Sequence, residues 1–260
     1  LGERGGGKDS KRPGKEIALR SQSNLASVNG VRTALFDFDG TLAFHEPDSF
    51  DVISAFCTEI GQPLSAEAER QGRRVRHEYF VDPIIREEIR GLSDDEFWQH
   101  LNRHLLQAVG VDGDLDRLAE EVTGRLGDIQ LTYDCPEAGC HTLTTLRARG
   151  YRLGLITNRG NVEGFYALLD HLEMRPYFDV TLASGEVGIH KPEPGIFASA
   201  LDRLGAQAEQ SLYVGDNYWA DVIGARRAGV RPVLLDPYRL FPEADCLILD
   251  RIDDLLMWLP

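Results

Sequence analysis

Positive charge is in short supply along this chain, where 28 Lys and Arg stand against 42 Asp and Glu for a formal net charge of −14. Phosphate backbones are bound by clustered Lys and Arg, so the deficit argues against nucleic acid as the main partner. It does not exclude a small phosphorylated ligand, because one bound cation and a few local donors reverse the field inside a pocket while the outer surface stays acidic. Long apolar runs are missing as well. No stretch approaches the roughly 18 consecutive apolar residues of a membrane span, and no signal-peptide pattern opens the chain. The expectation is a soluble, cytoplasmic protein without a membrane partner, monomeric or a homodimer. Cysteine is scarce, limited to Cys57, Cys135, Cys140 and Cys246, which are too few and too dispersed for a disulfide framework. Cys135, Cys140 and His141 come near a metal-like cluster, but no second pair at zinc spacing follows, and packing is the reading we adopt.

What the chain does have is organised in three parts. Residues 1–30 are rich in Gly, Lys, Arg and Ser without apolar periodicity and read as a disordered basic arm. Residues 48–130 read as helices over 50–60, 65–80, 93–109 and 113–126, with a shorter piece at 83–90. Ser93 and Glu96 form a capping box ahead of Phe97, Leu101, Leu105 and Val109, which recur every fourth residue. Residues 31–47 and 131–260 carry a different pattern, in which short apolar segments at 31–36, 151–156, 180–183, 211–214 and 231–235 alternate with helical stretches; residues 246–249 add a sixth, weaker strand. Such alternation implies right-handed crossovers and a parallel sheet covered on both faces. A helical unit is thus inserted after the first strand of an α/β domain, where it can lie over that strand's end as a lid.

That first strand ends Leu35-Phe36-Asp37-Phe38-Asp39-Gly40-Thr41. Two carboxylates at the carboxyl end of a strand stand where open parallel sheets place their chemistry. Alternation puts Asp37 and Asp39 on one side unless the chain bends between them. At 4 Å and an effective dielectric near 20 they repel by about 4 kcal/mol, so a divalent cation or a retained proton must compensate. A calcium loop is disfavoured, because Leu42, Ala43 and Phe44 offer no further oxygen ligands.

The later strands end in residues suited to phosphate or metal. The second ends at Thr157-Asn158, where a hydroxyl and the amides entering a helix can meet phosphate oxygens, although Thr-Asn is also ordinary turn chemistry. After the third comes Gly188-Ile189-His190-Lys191-Pro192-Glu193-Pro194, with two prolines stiffening the approach of Lys191 to a helix start. The fourth ends Val214-Gly215-Asp216-Asn217-Tyr218-Trp219-Ala220-Asp221, a carboxylate at the strand end and a second one five residues later. Arg70, Arg73, Arg74, Arg76 and His77 crowd one helical segment, followed by Arg86 and Arg90, and read as a solvated face.

Taken in order, D-F-D-G-T, the Thr157 strand end, K-P-E-P-G-I-F and V-G-D-N-Y-W-A-D resemble the four motifs of the haloacid dehalogenase-like superfamily, and the helical insertion resembles its cap. The likeness covers roughly residues 31–257. It implies a Rossmann-like parallel sheet of order 5-4-1-2-3, with Asp37 as nucleophile and Asp39 as acid/base. It further implies that Thr157, Asn158 and Lys191 hold the phosphoryl group, and that Mg²⁺ is bound by Asp37, the Asp39 carbonyl and Asp216 with Asp221 orienting these ligands. The implied reaction is hydrolysis of a small phosphorylated metabolite through an aspartyl-phosphate. A phosphosugar mutase would use the same residues. A haloacid dehalogenase needs no metal and lacks the second aspartate of the first motif, so Asp39 argues against it. A non-catalytic regulatory module would tolerate loss of the nucleophile, and none is lost. A phosphorelay receiver would carry its aspartate after the third strand, not the first.

Overall fold

The computed structural model describes residues 30–129 and 132–259. The expected basic arm thus lies outside the described residues except for Gly30, as does Leu131 in the second connection to the helical insertion. Strand β1 (Thr33–Phe36) has all four residues buried, as expected of a continuous apolar run in a sheet covered on both faces. Ala34 and Phe36 join one apolar cluster with Leu143, Leu146 and Phe165, while Leu35 joins another with Phe197, Ala200 and Leu204. The period-two alternation of a strand therefore serves both layers of helices.

A short antiparallel pair follows that the sequence reading did not resolve. Strand β2 (Phe44–Glu46) leads into the inserted helices and strand β3 (Thr132–Asp134) leads out, with His45 opposite Tyr133. Between them lie α1 (Ser49–Glu59), α2 (Ala66–Tyr79), α3 (Pro83–Glu88), α4 (Asp94–Ala108) and α5 (Leu115–Asp128). The Ser93–Glu96 capping box starts α4. These helices share a core of their own, including Phe50, Ile53, Phe56, Leu101, Leu105 and Val122. Burying each such side chain contributes about 1.5–3 kcal/mol.

The remaining strands are β4 (Arg152–Thr157), β5 (Val180–Ala183), β6 (Ser211–Gly215), β7 (Arg231–Leu235) and β8 (Leu247–Leu249). With β1 they form one parallel sheet in the order β5-β4-β1-β6-β7-β8. Counting the sheet's strands alone along the chain, this is 6-5-4-1-2-3 read from the β8 edge: the expected order, with the weak sixth strand added outside the fifth. β1 thus lies between β4 and β6, and the chain reverses its direction of travel across the sheet there. After β6 comes a turn of π-helix, Tyr218–Ile223, running into a short α-helix, Gly224–Arg227.

The bundle rests on the sheet domain through α2. Arg74 donates to Leu240 O at 3.0 Å, pairs with Glu243 at 2.7 Å and covers the Phe241 ring at 4.9 Å. Arg73 is sandwiched between Phe50 and Tyr238, at 5.0 and 4.4 Å from their ring centres. These two arginines are therefore interdomain contacts rather than the solvated face expected from the run of charge; Arg70 and Arg90, paired with Glu67 and Glu87, do fit that expectation. No helix among the described residues is long and apolar enough to cross a membrane.

Candidate active site

Asp37 is the first residue beyond β1, and its N–H continues the ladder by donating to Val214 O at 2.8 Å. That bond fixes the backbone so that the side chain enters the crevice between β1 and β6. Lys191 reaches the same place from the loop between β5 and the helix Pro194–Leu204. Its ammonium donates to Asp37 Oδ1 at 2.6 Å, Asp221 Oδ1 at 2.7 Å and the Tyr213 hydroxyl at 2.8 Å. All three ammonium protons are thereby used, which is how a lysine only 5 % exposed keeps its charge. Tyr213 in turn donates to Ile156 O at 3.1 Å.

Asp216 follows β6 directly. Its Oδ1 accepts from Thr41 Oγ1 at 3.4 Å, and the turn after β1 passes so close that a Cβ on Gly40 would sit 2.4 Å from Asp216 Oδ2. Gly40 also has φ +76°, so the position asks for glycine on two grounds. Asp221 lies on the π-helical turn that Asn217 caps, and its second oxygen accepts from Asn217 N at 2.9 Å. Carboxylate oxygens of Asp37, Asp216 and Asp221 lie within 4.8 Å of one another.

Three acids and one cation leave the cluster short of positive charge. Burial above all, against the pull of Lys191 and with Asp221 adding, pushes the Asp37 carboxyl up to about 7. Burial, then the charges of Asp37 and Asp221, hold Asp216 well above the usual carboxylate range. Burial works against the Lys191 charge, but Asp221 and Asp37 outweigh it and raise its pKa. Hard carboxylate oxygens gathered around an unneutralised locus suit a small divalent cation better than any soft metal, so the residues present fit Mg²⁺.

Of the other residues singled out by sequence, Thr157 ends β4, the strand paired with β1, and is buried. Asn158 ties in the lysine loop: its side-chain amide donates to Lys191 O at 3.0 Å and its side-chain carbonyl accepts from Lys191 N at 2.8 Å. Asp39 departs from the simple alternation of a strand. The chain turns after Asp37, with Thr41, Leu42 and Ala43 all donating to Phe38 O, and the Asp39 carboxylate leaves the acidic cluster to bind Arg159. Arg159 Nε meets Oδ2 at 2.9 Å and Nη2 meets Oδ1 at 2.6 Å, while Nη2 also donates to the Tyr133 hydroxyl at 2.8 Å. Arg159, Tyr133 and Tyr213 were not singled out in the sequence; the one local hint was the place of Arg159, next to Thr157-Asn158. Cys135 and Cys140 bring their sulfurs to 2.9 Å but form no metal cluster among the described residues.

A parallel sheet with an acidic centre at the carboxyl ends of its two middle strands defines a doubly wound α/β protein with its candidate site at the topological switch point. The haloacid dehalogenase-like hydrolase family model matches residues 31–229, and the chain belongs to that family. Among curated proteins it is similar to the glyceraldehyde 3-phosphate phosphatase of Methanopyrus kandleri, 31% identical over 208 residues that cover 77% of this chain and 82% of the relative. It is also similar to the ribulose-1,5-bisphosphate 5-phosphatase of Halopiger xanaduensis, 28% identical over 78% of this chain and 84% of the relative. Among solved structures, a magnesium-bound putative hydrolase of the family from Bacillus subtilis matches with a TM-score of 0.56, at 21% identity over 88% of this chain and 98% of that one. The chain is thus a hydrolase, and its curated relatives include proteins named as phosphatases.

Proposed function

We propose that the protein is a Mg²⁺-dependent phosphomonoester hydrolase acting on a small phosphorylated metabolite through a phosphoryl group carried on Asp37. The observation that carries this reading is the contact of Asp37 with Lys191 beside two further carboxylates, Asp221 buried and Asp216 half-buried. It supplies a nucleophile, a fixed cation and a metal donor set in one place. Mg²⁺ would be held by Asp37, Asp216 and the Asp39 carbonyl, and when bound it offsets the repulsion between a carboxylate and a phosphate dianion.

Asp37 attacks phosphorus as the bond to the leaving oxygen breaks. Lys191, held by Asp221 and Asn158, faces the charge that spreads over the equatorial oxygens in the transition state. The Thr157 hydroxyl, at the end of the neighbouring strand, holds one of those oxygens. Asp39 gives its proton to the departing alkoxide, then takes one from the water that cleaves the Asp37 acyl phosphate and releases inorganic phosphate. The bundle of residues 48–130 acts as a cap over this crevice, limiting bulk water and choosing substrate. Residues 31–47 and 131–260 form the catalytic domain.

Phosphate release from a panel of phosphorylated metabolites, measured with Mg²⁺ and after EDTA, tests the reading, with 2-chloropropionate as the control. Turnover that EDTA abolishes and Mg²⁺ restores is expected. Full activity after exhaustive chelation, or chloride release from the haloacid, would overturn it, and conversion of one sugar phosphate isomer to another would assign a mutase.

A further inference from the structure

A carboxylate that must deliver a proton cannot do so while both its oxygens accept hydrogen bonds from one guanidinium, yet that is the state of Asp39. The fork-to-fork geometry is the strongest pairing available to a carboxylate on a protein surface. Arg159 is placed to hold it for reasons unrelated to packing alone. Its carbonyl accepts from Gly185 N at 3.1 Å and from Ser184 Oγ at 3.3 Å, so its backbone is pinned to the sheet domain just after β5. Its head lies elsewhere, over the Phe38 ring at 5.3 Å and the Tyr133 ring at 5.0 Å, with the hydrogen bond to the Tyr133 hydroxyl between them. Tyr133 is the middle residue of β3 and its ring meets that of His45, opposite on β2, at 5.9 Å. These two strands are where the helical bundle joins the sheet domain, so any movement of the bundle passes through them. Arg159 therefore has a fixed base and a head that touches both the connection to the bundle and Asp39.

We propose that Arg159 is a positioning residue that couples the β2–β3 connection to Asp39. It keeps the carboxylate on its guanidinium until movement of the bundle shifts Tyr133, then retains one hydrogen bond while the other carboxylate oxygen turns to the leaving-group oxygen. The inference rests on the phosphatase reading above and adds to it a route by which substrate capture by the bundle readies the acid.

The test compares Arg159→Leu, Arg159→Lys and Tyr133→Phe, each alone and combined with Asp39→Asn, in single-turnover assays with Mg²⁺. An alkyl phosphate needs the proton from Asp39, whereas p-nitrophenyl phosphate releases its leaving group with little help. Arg159→Leu is expected to slow alkyl phosphate cleavage by about 10- to 100-fold at nearly unchanged KM, and the nitrophenol burst by about threefold at most. Arg159→Lys should recover part of the loss, since a point charge keeps one bond but not the fork. Tyr133→Phe keeps the ring and should move the alkyl-to-aryl ratio the same way by less, so it decides the matter if Arg159→Leu does not fold. With Asp39→Asn none of the three substitutions should change the ratio further. An unchanged ratio in the single variants, or an equal change without the Asp39 carboxylate, overturns the coupling while leaving the phosphatase reading intact. A wild-type protein that hydrolyses no phosphomonoester overturns both.

Discussion

At the scale of single residues, the site depends on charge balance inside a buried cluster. Among the described residues Lys191 is the one cation paired with Asp37 and Asp221, so Lys191→Met strands two carboxylates and should cost about 3 kcal/mol of stability, measured by urea unfolding at neutral pH. Because the lysine acts on the phosphoryl group that all substrates share, the same variant should lower turnover of every substrate by a similar factor. Substrate-dependent losses would place Lys191 in leaving-group recognition instead. Gly40→Ala should be severe for a different reason. A Cβ there meets Asp216 Oδ2 at 2.4 Å, so the carboxylate must move and Mg²⁺ affinity, read by calorimetry, should fall by about 10-fold or more. The strand ends made Asp37 and Asp216 legible as carboxylates at one edge of the sheet, and the resemblance of the ordered motifs added Lys191 and Asp221 to them. The partner of Asp39 was not legible. It depends on how the chain turns over Phe38, and a turn that rotates a side chain away from its strand's alternation leaves no trace in residue spacing.

At the scale of elements, the helix from Asp94 was readable from its capping box and apolar stripe, and the structure gives each helix of the bundle a cap, since Asp48, Ser65, Asp82, Ser93 and Asp114 each accept from the first turn they precede. Which polar face meets the sheet domain was hidden, because Arg73 and Arg74 bury their contacts against rings far away in the chain. Arg74 links α2 to residues 240–243. Arg74→Ala should therefore loosen the seating of the bundle, with a stability cost of only about 1 kcal/mol because the ion pair is partly exposed. Hydrogen exchange should quicken in α2 and in residues 238–244 while β1 and β6 stay protected, and KM should rise with little change in the nitrophenol burst. Unaltered exchange in both segments would mean that the bundle is seated by other contacts. The pair β2–β3 escaped the sequence reading too, since three-residue strands are too short to show alternation.

At the scale of the whole molecule, the sheet order places an acid-rich crevice at the carboxyl ends of β1 and β6, and its charge should govern stability. The Asp37 carboxyl, pushed up to about 7 chiefly by burial, binds its proton more tightly in the native chain than in the unfolded one. Its contribution is fully present below the ordinary carboxylate range and is lost as pH rises through about 7. Metal-free protein should thus lose Tm between pH about 5 and 8, and Mg²⁺ should raise Tm more at the upper end, where it no longer competes with the proton. An equal Mg²⁺ effect at both ends would show that the cation binds outside this cluster.

The most direct test of the account asks where the phosphoryl group goes. Asp39→Asn keeps the backbone and shape of the first turn but removes the group that activates water, a loss of about 10²- to 10⁴-fold for such a base. Rapid mixing of this variant with p-nitrophenyl phosphate and Mg²⁺ should give a burst of nitrophenol approaching one equivalent per enzyme, followed by slow turnover. Acid-quenched peptide from the burst should carry one phosphoryl group on Asp37, and Asp37→Asn should show neither burst nor label. Phosphoryl label on any other residue, or wild-type turnover by Asp39→Asn on both aryl and alkyl phosphates, would contradict the account.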